Sequence, residues 1–336
     1  MASKKNPITG IIHVTGEHDT GKTVFALSCG APPDRIAFFD DDIKGRSTVE
    51  QLKRQGFKFG MYVDLVERFA GKREIEINES GMALIESIKP DQFDCIVWDT
   101  WTRFESSFHA VIQKNPNRFR EFYAPMGKIK AGEMWQVSFA YEAQIIDQLL
   151  TKVPLLILTT HLKDDYINDK RTGRQIPDAK KTLNQKSNFR VWLRHNPDGP
   201  QPIGLVLKRP VKLEVSDKGI NPINILPRKL KPCTWQIIRK FWDNPVGDRP
   251  LKEDEKPDEF ELSILDGTLT KDQKNILRLA VLEAEQQVQD SIPISDSGHS
   301  EESIAKAREM AEAGAMPNEI EQATGITPAQ QAKLGL

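Results

Sequence analysis

The most specific chemical pattern in the sequence lies near its beginning. The stretch GEHDTGKT, residues 16–23, matches G-x-x-x-x-G-K-[ST], a loop whose backbone N–H groups surround phosphate oxygens. In this pattern the lysine, here Lys22, reaches the β- and γ-phosphates, and the hydroxyl of Thr23 binds Mg²⁺. The stretch therefore predicts a nucleotide-binding loop made of Gly16, Glu17, His18, Asp19, Thr20, Gly21, Lys22, Thr23 and Val24.

Carboxylates at the ends of two apolar runs form the second set of candidate groups. CIVWDT contains Asp99, and IAFFDDD ends in Asp40, Asp41 and Asp42. Because open α/β folds bind ligands at the carboxyl ends of their strands, Asp99 is predicted to hold Mg²⁺ together with Thr23. A carboxylate of the triplet could polarise the water that attacks the γ-phosphate. The alternatives are an ordinary strand-end turn for Asp99 and a solvated acidic loop for the triplet.

The segments that must position these groups alternate between strand and helix patterns. Strands are predicted in IIHVTG, RIAFFD, CIVWDT and PLLILTTH, and helices in TVEQLKRQGF, ESGMALIESIK, FESSFHAVIQ and MWQVSFAYEAQIIDQLLTK. This alternation predicts an α/β fold with a mainly parallel sheet. Beyond Gln175, FRVWLRHN and PIGLVLKR are joined by the turn-rich PDGPQ, which predicts an antiparallel hairpin at one edge of the sheet.

Composition excludes several classes of protein. The 336 residues carry 47 basic and 48 acidic side chains, so a basic surface that attracts nucleic acid or membrane must be local. No run is apolar for long enough to cross a bilayer, and MASKKNPITG lacks the hydrophobic part of a signal peptide. The three cysteines are widely spaced, which indicates neither a disulfide framework nor a zinc site. We expect a cytoplasmic protein that does not contact the membrane.

The last third of the chain has a different composition. The polar stretch DRPLKEDEKPDEFE predicts a linker, and TKDQKNILRLAVLEAEQQVQ predicts a helix. The tail has the sequence pattern of a helix-turn-helix and resembles the terminal helix-turn-helix of resolvases. Its last predicted helix, PAQQAKL, nevertheless has one lysine and no arginine. A small protein-docking module is an equal alternative. The predicted domains are a core at 1–245, a linker with a helical extension at 246–298, and a helical module at 299–336.

Four segments in this order resemble the RecA-like ATPases, specifically the compact phage branch related to single-strand annealing and recombination proteins. GEHDTGKT, FFDDD, IVWDT and LILTTHLKDD match the family's P-loop, catalytic-acid strand, Walker B strand and sensor strand, within about residues 8–210. The resemblance implies a RecA-like P-loop core and Mg²⁺-dependent ATP hydrolysis. It also implies a ring or filament with nucleotide between subunits, and action on single-stranded DNA in recombination, annealing or replication. The cytoplasm would be that of a bacterium or a phage-infected host.

The resemblance also assigns roles in hydrolysis. By this resemblance Lys22 binds the phosphates, Thr23 binds Mg²⁺, and Asp99 is the Walker B acid. The family's catalytic glutamate corresponds to Asp42, whose side chain is one methylene shorter, so Asp41 or another residue remains an alternative.

Further positions correspond to the sensor and to residues that act across subunits. His161 stands where the family senses the γ-phosphate, and a purely structural histidine is the alternative. Lys208 and Arg209 in VLKRP stand where family members reach the nucleotide of the neighbouring subunit, as an arginine finger does.

In the family, the segment after His161 follows single-stranded DNA. Basic residues that could neutralise the DNA backbone are Lys163, Lys170, Arg171, Arg174, Lys180, Lys181 and Lys186. The segment also contains acids, and Tyr166 is its obvious stacking platform. A solvated hairpin that contacts no DNA is the alternative.

Two functions from different classes fit these observations. The first is a DNA-stimulated ATPase. The second is a switch or adaptor that assembles on ATP, hydrolyses little and recruits a protein partner through its C-terminal module. A small-molecule kinase is less favoured because no acceptor site or lid stands out, and the guanine signature N-K-x-D is absent. Strong stimulation of turnover by DNA would favour the first function.

Overall fold

A computed structural model of the chain is built around an eight-stranded sheet. It describes residues 8–119, 134–167, 170–179, 181–216, 219–247, 251–258, 261–262, 264, 301–313 and 317–326. The strands are β1 Gly10–Gly16, β2 Ile36–Asp40, β3 Met61–Asp64, β4 Cys95–Asp99, β5 Leu155–Thr160, β6 Leu162–Ile167, β7 Lys170–Pro177, β8 Phe189–Arg194, β9 Ile203–Lys208, β10 Val211–Ser216, β11 Gly219–Asn224 and β12 Lys229–Leu230.

The order of the central strands is β12-β9-β8-β1-β5-β4-β2-β3. The six strands from β8 to β3 are parallel, β9 is antiparallel to β8, and β12 is antiparallel to β9. This confirms the predicted parallel sheet with antiparallel edge strands. Two further pairs, β6-β7 and β10-β11, form separate antiparallel hairpins. Sequence analysis missed β3, because a run of four half-buried residues that ends in Asp64 has neither a long apolar stretch nor a clear period.

Helices cover both faces of the sheet. They are α1 Lys22–Leu27, α2 Gly45–Arg54, α3 Leu65–Arg68, α4 Glu74–Ser87, α5 Thr102–Lys114, α6 Met134–Leu150, α7 Lys181–Lys186, α8 Trp235–Asp243, α9 Glu301–Glu312 and α10 Pro317–Thr324. One apolar core lies beneath α4, α5 and α6, and the other lies beneath α1, α2 and α8. Because both faces are covered, the central strands are apolar along their whole length rather than alternating.

The C-terminal residues form a separate unit. The chain divides into two compact units, residues 1–267 and 268–336. In the second unit α9 and α10 pack through Ala307, Ile320 and Ile326. The predicted helix at 270–289 and the predicted last helix from Pro328 lie outside the described residues, so the helix-turn-helix stays a prediction. Among the residues described, none of the helices has the length and apolar content that a membrane crossing requires.

His13 is a buried polar residue in the centre of β1. Its ring shares a hydrogen bond of 2.8 Å with the Thr160 hydroxyl on β5, and the side chain is fully buried. Burial, with a smaller contribution from Arg190, lowers its pKa to about 3. The imidazole is therefore neutral in the folded protein at every pH near neutrality.

This burial predicts a loss of stability in mild acid. Below pH 6.5 the unfolded chain takes up a proton on His13 that the folded chain does not, so the free energy of unfolding falls as the pH falls. Between pH 7.5 and pH 5 we expect His13 to account for a loss of about 2 kcal/mol. Urea unfolding of wild type and His13→Asn at both pH values measures it. An equal loss in the two proteins would contradict the assignment.

Candidate nucleotide-binding site

Four loops meet at the carboxyl ends of four neighbouring strands. The strands β1, β5, β4 and β2 are adjacent in the sheet. The phosphate loop follows β1, His161 follows β5, Asp99 ends β4, and Asp42 lies just beyond β2. The structure therefore brings together Lys22, Asp42, Asp99 and His161, which are separated by up to 139 positions in the chain.

Two glycines give the phosphate loop its path. A Cβ on Gly16 would lie 2.3 Å from the carbonyl oxygen of Leu193 on β8, so no larger residue fits at this close approach. Gly21 has a φ of +80°, a left-handed conformation that side chains disfavour. The Thr20 hydroxyl donates to the Glu17 carbonyl at 2.9 Å across the turn. These requirements explain the glycine positions of the motif.

Lys22 points back into the loop. Its Nζ donates to the carbonyl oxygens of Gly16 at 3.0 Å and Glu17 at 2.8 Å, and the side chain is buried. Burial lowers the pKa of Lys22, and the charges of Asp99 and Asp42 oppose that shift. An ammonium ion held in this position is ready to bind anionic oxygens that enter the loop.

Thr23 and Asp99 provide oxygen atoms suited to a magnesium ion. The Thr23 hydroxyl donates to Asp99 Oδ2 at 2.5 Å, and the Thr159 hydroxyl donates to the other carboxylate oxygen. Burial raises the pKa of Asp99, and the hydrogen bonds from Thr159 and Thr23 together with the charge of Lys22 oppose that shift. Hydroxyl and carboxylate oxygens are the ligands that Mg²⁺ prefers, and it usually takes the others from phosphate and water. The residues present therefore fit Mg²⁺.

The acidic triplet separates into three environments. The Tyr62 hydroxyl donates to Asp40 at 3.3 Å, and burial raises the pKa of Asp40 to about 7. Asp41 is fully enclosed and forms an ion pair with Arg103 at 3.1 Å; burial nevertheless raises its pKa to about 6. The charge of Asp42 acts to raise the pKa values of Lys22 and His161, and Asp42 Oδ1 accepts a hydrogen bond from the Lys44 N–H at 3.0 Å. Asp42 is thus close enough to the phosphate loop for its charge to act on Lys22.

Histidines surround the phosphate loop. The rings of His161 and His18 lie 6.0 Å apart, and burial together with Lys22 lowers the pKa of His161. The ring of His195, just after β8, hydrogen-bonds with the carbonyl oxygen of His18 at 2.9 Å. Sequence analysis missed His195, because its position beside the loop depends on β8 pairing with β1 across the intervening chain.

Ion pairs connect the phosphate loop to distant parts of the first unit. Arg194 lies 3.6 Å from the carboxylates of both Glu17 and Glu261, and Glu261 also pairs with Lys229 at 2.7 Å. The Glu261 side chain is only 2% exposed. No sequence motif predicts these contacts. They hold the phosphate loop to the end of β8 and to the chain near residue 261.

Most of the residues predicted to bind DNA lie on the β6-β7 hairpin and on α7, and several form ion pairs with acidic side chains of the chain. Ion pairs join Lys163 to Asp178 at 3.0 Å, Arg171 to Asp164 at 2.8 Å and Lys186 to Asp147 at 2.5 Å. Lys181 is exposed at the start of α7. Lys170 and Arg174 are on β7, but their side chains lie outside the described part, as does all of Lys180. The local charge is therefore less positive than the basic residues suggest.

Lys208 and Arg209 do not join the site of their own chain. In the sheet, Lys208 on β9 lies opposite Arg190 at the beginning of β8. The phosphate loop lies beyond the other ends of β1 and β8. The two cations are thus at the opposite end of the strands from Lys22.

Comparison with known proteins identifies the family. A family model described as an AAA domain matches residues 10–192, more than half of the chain. The chain belongs to this family. This AAA-domain protein thus has an α/β fold in which a phosphate loop follows β1, the central sheet is mainly parallel with antiparallel edge pairings, and two further helices, α9 and α10, lie near the C-terminus. A search of curated proteins gives no significant match.

Solved structures are similar to this chain only at a distance. The flagellar accessory protein FlaH from Methanocaldococcus jannaschii is 12% identical, with 64% of this chain and 90% of FlaH covered and a TM-score of 0.35. The RadB recombinase is 13% identical, with coverages of 63% and 89% and a TM-score of 0.37. An ATPase from the type III secretion system of pathogenic bacteria is 15% identical, with coverages of 56% and 53% and a TM-score of 0.36.

Proposed function

We propose that this AAA-domain protein is a Mg²⁺-dependent ATPase that assembles into a ring or filament and acts on single-stranded DNA in recombination, annealing or replication. The observation that carries the proposal is the environment of the acidic triplet. The charge of Asp42 acts on Lys22 and His161, and its carboxylate accepts only a backbone N–H, that of Lys44, among the hydrogen bonds of the described residues, whereas the Tyr62 and Arg103 side chains bind Asp40 and Asp41. A binding loop for phosphates and one carboxylate for a water thus share one edge of the sheet.

Each residue of the site has a defined task in this proposal. Lys22 and the backbone N–H groups of the loop bind the β- and γ-phosphates of ATP. Thr23 and Asp99 would hold Mg²⁺, which when bound neutralises phosphate charge. Asp42 orients the attacking water and accepts its proton, and a side chain one methylene shorter than glutamate must approach the γ-phosphate more closely to do so. His161 hydrogen-bonds with the γ-phosphate side of the site and senses its loss.

Lys208 and Arg209 are assigned to the nucleotide of a neighbouring copy. They belong to a row of cations with Arg190 and Arg228, and among the described residues no ion pair involves any of the four. Burial lowers the pKa of Arg190 to about 10, and burial and Arg190 together lower that of Lys208. Cations that repel one another and have no acidic partner favour an external anion. A triphosphate on the next subunit supplies one.

The DNA contact is assigned to the β6-β7 hairpin and the start of α7. In this proposal DNA phosphates replace Asp178 and Asp164 as partners of Lys163 and Arg171. Replacing Lys163, Arg171 and Lys181 with alanine should weaken binding of labelled single-stranded DNA. If all three contact phosphate, the slope of log K against the logarithm of the salt concentration should become shallower by about 2. Fluorescence anisotropy over a salt series measures it, with Lys53→Ala on α2 as a control. An unchanged salt slope would contradict the assignment.

The ion pairs of the hairpin also support a second candidate function. Because Lys163, Arg171 and Lys186 are neutralised within the chain, an adaptor that switches on nucleotide without touching DNA is the alternative. Such a protein would bind a protein partner through its C-terminal unit. It would assemble with ATP while hydrolysing it close to the background rate.

A further inference from the structure

The β10-β11 hairpin presents an apolar face to solvent. Val211 is 51% exposed, and Leu213 and Ile220 are each 64% exposed. Val211 lies opposite Asn224, Leu213 opposite Pro222, and Ile220 opposite residue 215. Directly opposed residues of antiparallel strands share a face, so these apolar side chains lie together.

The other face of the hairpin touches its own chain at the base of the hairpin, whereas Lys212 on that face is exposed. Lys212 is paired in register with Ile223, and Ile223 is partly buried beside Gly247. The N–H of Gly247 also donates to the carbonyl oxygen of Asn224 at 3.0 Å. The hairpin is therefore attached at its base and leaves its apolar face exposed to solvent. An outward apolar face of this kind marks an interaction surface.

The position of the hairpin indicates what covers this face. β10 begins two residues after Arg209, so the apolar face continues from the row of cations formed by Arg190, Lys208, Arg209 and Arg228. At the other end of the strands, Val24 is 52% exposed beside Thr23, and Ile43 is 73% exposed beside Asp42. One end of the molecule thus offers cations next to exposed apolar residues. The other offers carboxylates and a phosphate site next to exposed apolar residues.

We propose that the apolar face of the β10-β11 hairpin docks on the nucleotide edge of a second copy of this chain, against Val24 and Ile43. This inference rests on the proposed function, in which Lys208 and Arg209 reach the nucleotide of the neighbouring subunit. Docking of the hairpin brings those two cations to that nucleotide, because they immediately precede it. The contact joins two different surfaces, so it repeats head to tail and builds a ring or an open filament.

Two variants on neighbouring residues of β10 test the contact. Leu213→Asp places a charge on the apolar face, and Lys212→Asp places the same group on the other face. Mass photometry of the full chain with Mg²⁺ and a slowly hydrolysed ATP analogue measures assembly, and fluorescence of a labelled nucleotide measures binding. We expect Leu213→Asp to raise the concentration for half-assembly at least about tenfold while the unassembled chain still binds nucleotide through its own phosphate loop, and Lys212→Asp to match wild type. Assembly of Leu213→Asp like wild type would overturn the proposal and leave another protein or the C-terminal unit as the occupant.

A mixing experiment tests the head-to-tail geometry. Ile43→Asp damages the nucleotide edge and keeps the hairpin, while Leu213→Asp does the reverse. Each variant alone should stay monomeric, and an equal mixture should give complexes that stop at two chains. Assembly of Ile43→Asp alone like wild type would overturn the proposal, because the hairpin would then be meeting another surface.

Failure of the inference and failure of the proposed function give different results. If wild type binds nucleotide and does not assemble, the nucleotide between subunits is wrong and the inference falls with it. If wild type assembles and Leu213→Asp assembles equally, only the hairpin contact is wrong.

Discussion

Replacing Lys22 with alanine is expected to lower the rate of ATP hydrolysis by about 10²–10³-fold. The variant loses the ammonium ion of Lys22 inside the phosphate loop, where burial strengthens its interaction with phosphate charge. Nucleotide affinity should fall as well, because Lys22 contacts the phosphates in the ground state. Steady-state turnover and binding of a fluorescent nucleotide measure the two effects.

Lys44→Ala is the matched control for this variant. Lys44 also lies beside the loop and pairs with Asp19 at 3.1 Å, but both side chains are exposed. Loss of an exposed pair contributes little, so turnover should stay near that of wild type. Since Lys22 also bonds to loop carbonyls, thermal unfolding of Lys22→Ala shows whether the fold survives. A folded Lys22→Ala protein with normal turnover would contradict the site.

Asp42→Asn should separate hydrolysis from binding. The amide keeps the size of the side chain and cannot take a proton from water, so kcat should fall by about 10²–10⁴-fold. Because Asp42 does not bind phosphate in this account, nucleotide affinity should change by less than about threefold, within the range of a small pairwise effect. Single-turnover hydrolysis and nucleotide titration provide the measurements.

The neighbouring aspartate gives the sharpest comparison. Asp41→Asn removes the ion pair with Arg103 inside the protein, so its main effect should be on stability rather than on kcat. If Asp41→Asn abolished turnover and Asp42→Asn left it intact, the assignment of the catalytic acid to Asp42 would be wrong.

Much of the site could be predicted from the sequence because its groups stand at strand ends. Asp99 and His161 each follow an apolar run, and parallel strands bring such positions to one edge. The sequence could not decide among Asp40, Asp41 and Asp42. That choice depends on two side chains from elsewhere in the chain. Tyr62 lies in β3, a strand too short to predict, and Arg103 lies in α5.

Contacts between distant segments were beyond prediction. The pairing of β8 with β1 brings Arg194 and His195 to the phosphate loop, and nothing local to either residue signals it. The ion pairs of Lys163 and Arg171 likewise depend on how the β6-β7 hairpin closes. Counting basic residues therefore overstated the positive charge near the predicted DNA-binding segment.

The central claim is that ATP bound by Lys22 is hydrolysed with the help of Asp42 and that single-stranded DNA stimulates this reaction. The most direct test is steady-state ATP turnover by the full chain with and without single-stranded DNA, in wild type, Lys22→Ala and Asp42→Asn. We predict that DNA raises the rate of wild type and that neither variant responds. Turnover that stays at background with DNA present, while nucleotide still binds and drives assembly, would contradict the claim and favour the adaptor.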